Sequence, residues 1–267
     1  MSTVIAAVDA DAGAGPVLST ALALATLIDA SVIALHVREN GTSLPKQLTS
    51  TAGVELREST GSPIELIASA AQSPDVAALV LGARAIYGGA QPAGHTTLGV
   101  ITRVSTPVVV VPPQAPPREQ IARILVPLDG TRQSARALDD LLTLAHARRL
   151  EVLVLHVYSP ATVPKFSDHL PHATHARERE FLLRNISTPH DRVKLLHRRG
   201  VPSDDVVAAA RETDADLIAL AWRQTLKGGG ARVVSETLAH SDIPVLLLPV
   251  GSGRVGESRP ESRGVAD

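Results

Sequence analysis

Apolar positions along this chain gather into short unbroken runs, set between longer stretches in which apolar and polar residues recur at helical spacing. Val4–Val8, Val32–Val37, a run ending at Leu81 and Pro107–Pro112 are runs of this kind. Strands covered on both faces read this way, so the pattern predicts a parallel sheet with helices on either side. Val54-Glu55-Leu56-Arg57 alternates instead and is predicted at a sheet edge. Helix starts are written between the strands. Ser62-Pro63-Ile64-Glu65 offers an N-cap, a proline at the first helical position and a glutamate at the third. Pro202-Ser203-Asp204-Asp205 places carboxylates where a helix dipole favours them.

The same order is written twice. Val4–Asp9 has its twin in Ile124–Asp129, and Val32–Val37 in Val152–Val157, both at an offset of 120. Gly61-Ser62-Pro63 returns as Gly200-Val201-Pro202 at an offset of 139, and Pro107–Pro112 as Pro244–Pro249 at 137. Each copy reads β-α-β-α-β-α-β-α-β, an α/β doubly wound unit. In the second copy Ser159–Arg192 leaves room for a full helix over Thr174–Ile186, where the first has only Arg38–Gly53. The predicted organisation is a first domain over 1–113, a stiff proline-rich linker over 114–119, a second domain over 120–250 and a disordered tail over 251–267.

Composition narrows the function. Twenty-six basic residues stand against 27 acidic ones, a net charge of −1, which argues against wholesale binding to nucleic acid or to an anionic membrane. The chain has no cysteine, which removes thiolate metal sites and cysteine nucleophiles and suits a reducing compartment. No basic n-region precedes Arg38, and the apolar stretch from Val17 to Ile28 is far short of a membrane span. A cytoplasmic location is expected. There is no G-x-S-x-G elbow, and no base or nucleophile can be named, so no enzymatic activity is expected. His169, His172 and His175 recur across a proline without a known metal-ligand spacing, and no metal site is expected there.

In an open α/β sheet, ligands lie beyond the carboxyl ends of the strands. Asp9 and Asp129 follow the first strand of each copy, and two readings stay open for them: turn residues that cap local N–H groups, or ligand contacts. After Leu81 a glycine-bearing loop, Gly82 to Thr97, feeds a helix and could hold an anion such as phosphate. The second copy runs Ala221-Trp222-Arg223-Gln224 and on to Ala231-Arg232, with Trp222 in the place of Ala83. That ring could fill a crevice or offer a stacking face.

Several stretches together resemble the universal stress protein family in a tandem, two-domain form. They are Val126-Pro127-Leu128-Asp129-Gly130-Thr131 with Ser134–Leu138, Gly200-Val201-Pro202 followed by Ala215–Ile218, and the closing Pro244–Leu248. The resemblance implies Rossmann-like five-stranded sheets of order 3-2-1-4-5 that pair through their fifth strands, so that the two halves form a pseudo-dimer. A homodimer is a further assembly it implies.

ATP-binding members of that family carry a glycine, two residues, a second glycine, nine residues, then a glycine followed by Ser or Thr. The first copy keeps Gly82 and Gly94, but Ala85 stands at the second glycine and His95 follows the third, with Thr96 one place later. In the second copy Ala221, Gln224 and Ala231 replace all three glycines. The expectation is a regulatory binding protein of the stress response. It would act mainly through an unidentified protein partner and carry no cofactor. The alternative is an ATP-binding sensor, for which the resemblance implies Asp9 and Val37 around the adenosine and Gly82, Arg84, Gly94, His95 and Thr96 around the phosphates.

Overall fold

The computed structural model describes residues 2–9, 14–38, 53–83, 93–158, 192–225 and 229–250, together with 180 and 182. Ten strands form one sheet. The first half contributes β1 (Thr3–Ala7), β2 (Ser31–Arg38), β3 (Val54–Thr60), β4 (Val76–Gly82) and β5 (Val108–Val111). The second contributes β6 (Arg123–Pro127), β7 (Glu151–Tyr158), β8 (Val193–Arg199), β9 (Leu217–Trp222) and β10 (Val245–Pro249). The helices are α1 (Ala14–Ile28), α2 (Pro63–Ala71), α3 (His95–Ile101), α4 (Arg132–Ala147), α5 (Pro202–Glu212) and α6 (Gly229–His240).

The strand order is β3-β2-β1-β4-β5-β10-β9-β6-β7-β8. Within each half it is 3-2-1-4-5 and parallel throughout. The halves meet where β10 runs antiparallel to β5, with Val245 opposite Val110, Leu246 opposite Val109 and Leu247 opposite Val108. An apolar edge strand left bare is a template for aggregation; here each fifth strand covers the other. The alternating strand β3 lies at one outer edge, as its pattern predicts, with β8 at the other.

Alternation along the buried strands sends side chains to two faces. Val4 and Ala6 join Leu24 of α1 and Leu142 of α4 on one face. Ile5 and Leu79 join Ile101 of α3 and Val206 of α5 on the other. Each core therefore draws on both halves.

Three helices end alike. Asp29, Arg149 and Asp214 adopt φ of 53°, 57° and 50°. Beyond them Ala30, Leu150 and Ala215 donate N–H groups to Ala25, Ala145 and Ala210 at 2.9 Å. This six-to-one closure satisfies carbonyls that a helix terminus leaves open.

Some local expectations change. Ser62 does hold the N-cap position of α2, but its side chain makes no cap bond. The working cap is Thr131, which accepts the Ser134 N–H at the start of α4. The proline-rich connection is packed down: Ala115, and Ile121 just beyond it, are buried in the core that α1 and α4 share. Its Arg118 pairs with Asp216, whose other carboxylate oxygen accepts the Ala122 and Arg123 N–H groups at 2.8 and 2.9 Å. The tail over 251–267 lies outside the described residues, as does most of the helix expected at 174–186, of which Glu180 and Leu182 are helical.

Candidate functional site

Three adjacent strands, β2, β1 and β4, end together in the first half and give the candidate site its floor. Ala7 of β1 lies opposite Leu35 on one side and Leu81 on the other. The Val8 N–H continues this ladder to the Leu35 carbonyl at 3.0 Å. Asp9, Val37 and Gly82 thus come out side by side at one sheet end. Asp9 is exposed and Val37 half-buried. Gly82 sits close under α1: a Cβ there would lie 3.3 Å from a Val17 methyl.

Beyond Ala83 the loop over 84–92, and Arg84 with it, lies outside the described residues. The chain re-enters at Ala93, and Gly94 takes φ 82°, ψ 159° at the start of α3. Backbone of this kind is open to glycine and strained for any residue with a Cβ. His95 and Thr96 follow with exposed side chains.

Thr97, which no sequence pattern singled out, ties the two kept glycines together. It is buried, and its hydroxyl donates to the Gly82 carbonyl at 2.8 Å. The Leu98 N–H donates to the Gly94 carbonyl at 3.1 Å. Thr96 stands nearer the family's hydroxyl position, but one residue along a helix rotates the side chain by about 100°. That rotation takes the hydroxyl from solvent to the strand.

Behind the floor, His36 is 2% exposed and its Nδ1 lies 2.9 Å from the Val8 carbonyl. A carbonyl can only accept, so Nδ1 carries the proton. His156 repeats the contact with the Leu128 carbonyl at 3.1 Å.

The second half uses its equivalent residues differently. The Asp129 carboxylate accepts the Thr131 N–H at 2.9 Å and the Thr131 hydroxyl at 2.8 Å, which is the turn-capping role. Helix α6 begins at Gly229, so Ala231, the counterpart of Gly94, lies inside its first turn. An alanine resists the positive φ that Gly94 adopts, and the helix extends backward through it instead.

Trp222 is 2% exposed, and its indole N–H donates to the Ile101 carbonyl at the end of α3, 3.3 Å away. The adjoining Gln224, held at φ 56°, donates its side-chain amide to the Val104 carbonyl. The ring is therefore packed into the seam between the halves and leaves no face exposed for stacking. Arg223 and Arg232 are exposed, and Lys227 lies outside the described residues.

Among the described residues there is no group of three or more potential metal ligands. The Asp168–His175 stretch lies outside them. No described helix is long and apolar enough to cross a membrane.

Residues 120–249 match the model of the Universal stress protein family. Those residues form a domain of that family. The chain's tandem arrangement is matched over the whole length by a universal stress protein of Archaeoglobus fulgidus DSM 4304. The identity is 16% and the TM-score 0.63, over 94% of this chain and 97% of that one. A functionally unknown protein from Pseudomonas aeruginosa PAO1 is similar at 14% identity and TM-score 0.63, covering 93% and 92% of the two chains. At these identities the likeness is one of fold. Comparison with curated proteins finds no match. The chain carries two copies of one fold; Gly94 makes a positive-φ turn in the first, and a helix runs through the equivalent Ala231 in the second.

Proposed function

We propose that this protein is a non-catalytic binding protein in which only the first half takes a ligand, an adenine nucleotide of the ATP type. In this reading the units over 1–113 and 120–250 divide the work, and the second serves as a fixed structural partner. Asp9 and Val37 would meet the adenosine. Gly82, Arg84, Gly94, His95 and Thr96 would surround the phosphates, with Thr97 holding the loop's two ends together.

The observation that carries the reading is Gly94 at φ 82°, ψ 159°, directly before a helix whose Thr97 is bonded back to Gly82. Backbone conformations that only glycine accepts readily cluster at ligand clamps and active sites. This favours the nucleotide-binding alternative over a ligand-free protein that works through its surfaces alone.

The test is calorimetric titration of the full chain with Mg-ATP, beside Gly94→Ala and Asp9→Ala variants. Saturable micromolar binding, abolished by Gly94→Ala and weakened by Asp9→Ala, is the expected result. No heat at millimolar ATP would overturn the nucleotide reading, and the search would move to protein partners.

A further inference from the structure

Trp222 and Gln224 of the second half are bonded to the far end of the helix that follows Gly94 in the first. Helix α3 runs only from His95 to Ile101. At its start, Gly94 precedes the first turn and the Thr97 hydroxyl bonds the Gly82 carbonyl, beside the proposed phosphate positions. At its finish, the Ile101 carbonyl accepts the Trp222 indole N–H, and the Val104 carbonyl just beyond accepts the Gln224 amide. A helix leaves its last carbonyls without intrahelical partners, and in so short a helix those groups are a large share of the total. Gln224 makes its bond from a left-handed backbone conformation, uncommon for a residue with a side chain.

We infer that Trp222 and Gln224 are positioning residues for the first-half site, acting through α3. The second copy has exchanged its own ligand loop for a clasp on the helix beside the other copy's site. The inference rests on the nucleotide reading for its ligand. The mechanical coupling from Trp222 to Gly94 can be measured without one.

The experiment is amide-resolved hydrogen exchange on the full chain, wild type against Trp222→Phe and Gln224→Ala, with Mg-ATP titrations in parallel. Phenylalanine keeps a ring in the core and removes the N–H donor; the glutamine variant perturbs the clasp without touching the core, should the first fold poorly. A net hydrogen bond corresponds to a factor of roughly 3–10 in an equilibrium. The expected result is exchange faster by that factor at the Leu98 amide, which bonds Gly94, as well as over 101–104, with β1 unchanged. The ATP dissociation constant should rise by a similar factor.

Acceleration confined to 101–104 would overturn the inference, because the clasp would then hold only the helix end. An unchanged dissociation constant with a loosened α3 would overturn it too. Absence of ATP binding in the wild type would refute the nucleotide reading, and the Leu98 amide would still decide the coupling.

Discussion

Replacing Asp216 with alanine should unfasten the connection between the two halves where Arg118, Ala122 and Arg123 meet it. Asp216 precedes β9, and its side chain is 15% exposed. One carboxylate oxygen accepts the Ala122 and Arg123 N–H groups at 2.8 and 2.9 Å, and the other meets the Arg118 guanidinium. Alanine leaves two backbone donors and one guanidinium without their acceptor. The Ala122 bond is exposed, so water replaces much of it; the Arg123 bond is partly buried and is the costlier loss. Bonds to a charged acceptor contribute about 1.5–3 kcal/mol each when shielded and less when wet. The expected destabilisation is about 3 kcal/mol, a fall in melting temperature of roughly 6–12 °C for a chain of this size. Asp216→Asn keeps one oxygen acceptor and should lose about half as much. Urea titration followed by far-UV circular dichroism measures both. A loss below about 0.5 kcal/mol for the alanine variant would refute the reasoning, since it would mean that solvent substitutes for all three partners.

Four further outcomes are expected. Leu79, fully buried in the core shared by both halves, should cost about 3 kcal/mol when cut to alanine, and calorimetry should still show one transition; two separated transitions would deny the shared core. A Cβ on Gly99 would approach the Ile64 Cδ1 to 2.6 Å, so Gly99→Ala and Ile64→Val should be coupled by about 1 kcal/mol in a double-mutant cycle; strictly additive effects would show that α2 yields freely. The Lys194 ammonium, then the Arg123 guanidinium, hold the Glu151 carboxyl below its ordinary value. A carboxylate lowered in the folded state stabilises above its unfolded value and loses that contribution as pH falls through the folded one. Wild type should therefore exceed Glu151→Gln by about 1 kcal/mol at neutral pH, with the gap closing in acid below the ordinary glutamate range; a pH-independent gap would point to packing instead. Finally, Gly94→Ala should lower stability by about 1–3 kcal/mol through backbone strain even in the absence of ligand, as read by thermal melting; an unchanged midpoint would mean that the turn relaxes.

The order of elements and the doubling of the unit were legible in the hydrophobic pattern alone. Unbroken apolar runs at fixed order mark buried parallel strands, an alternating Val54–Arg57 marks an edge, and the recurrence of the whole pattern marks two copies. These are local regularities of hydrophobic period, legible without knowing what touches what. The pairing of the fifth strands was legible only through family resemblance, and the structure shows it as β5 against β10.

Tertiary structure decided what individual polar and aromatic groups do. Whether Trp222 fills a crevice, stacks or bonds depends on a carbonyl 121 residues away in sequence. Whether Thr96 or Thr97 serves the loop depends on which side of α3 faces Gly82. Ser62 holds a cap position without making the bond, while Asp216 and Arg118, which no local pattern pairs, meet across a separation of 98. A hydrophobic run needs only a core to enter, and any core of the right period serves. A hydrogen bond needs one partner at one distance, and that partner exists only after the chain has closed.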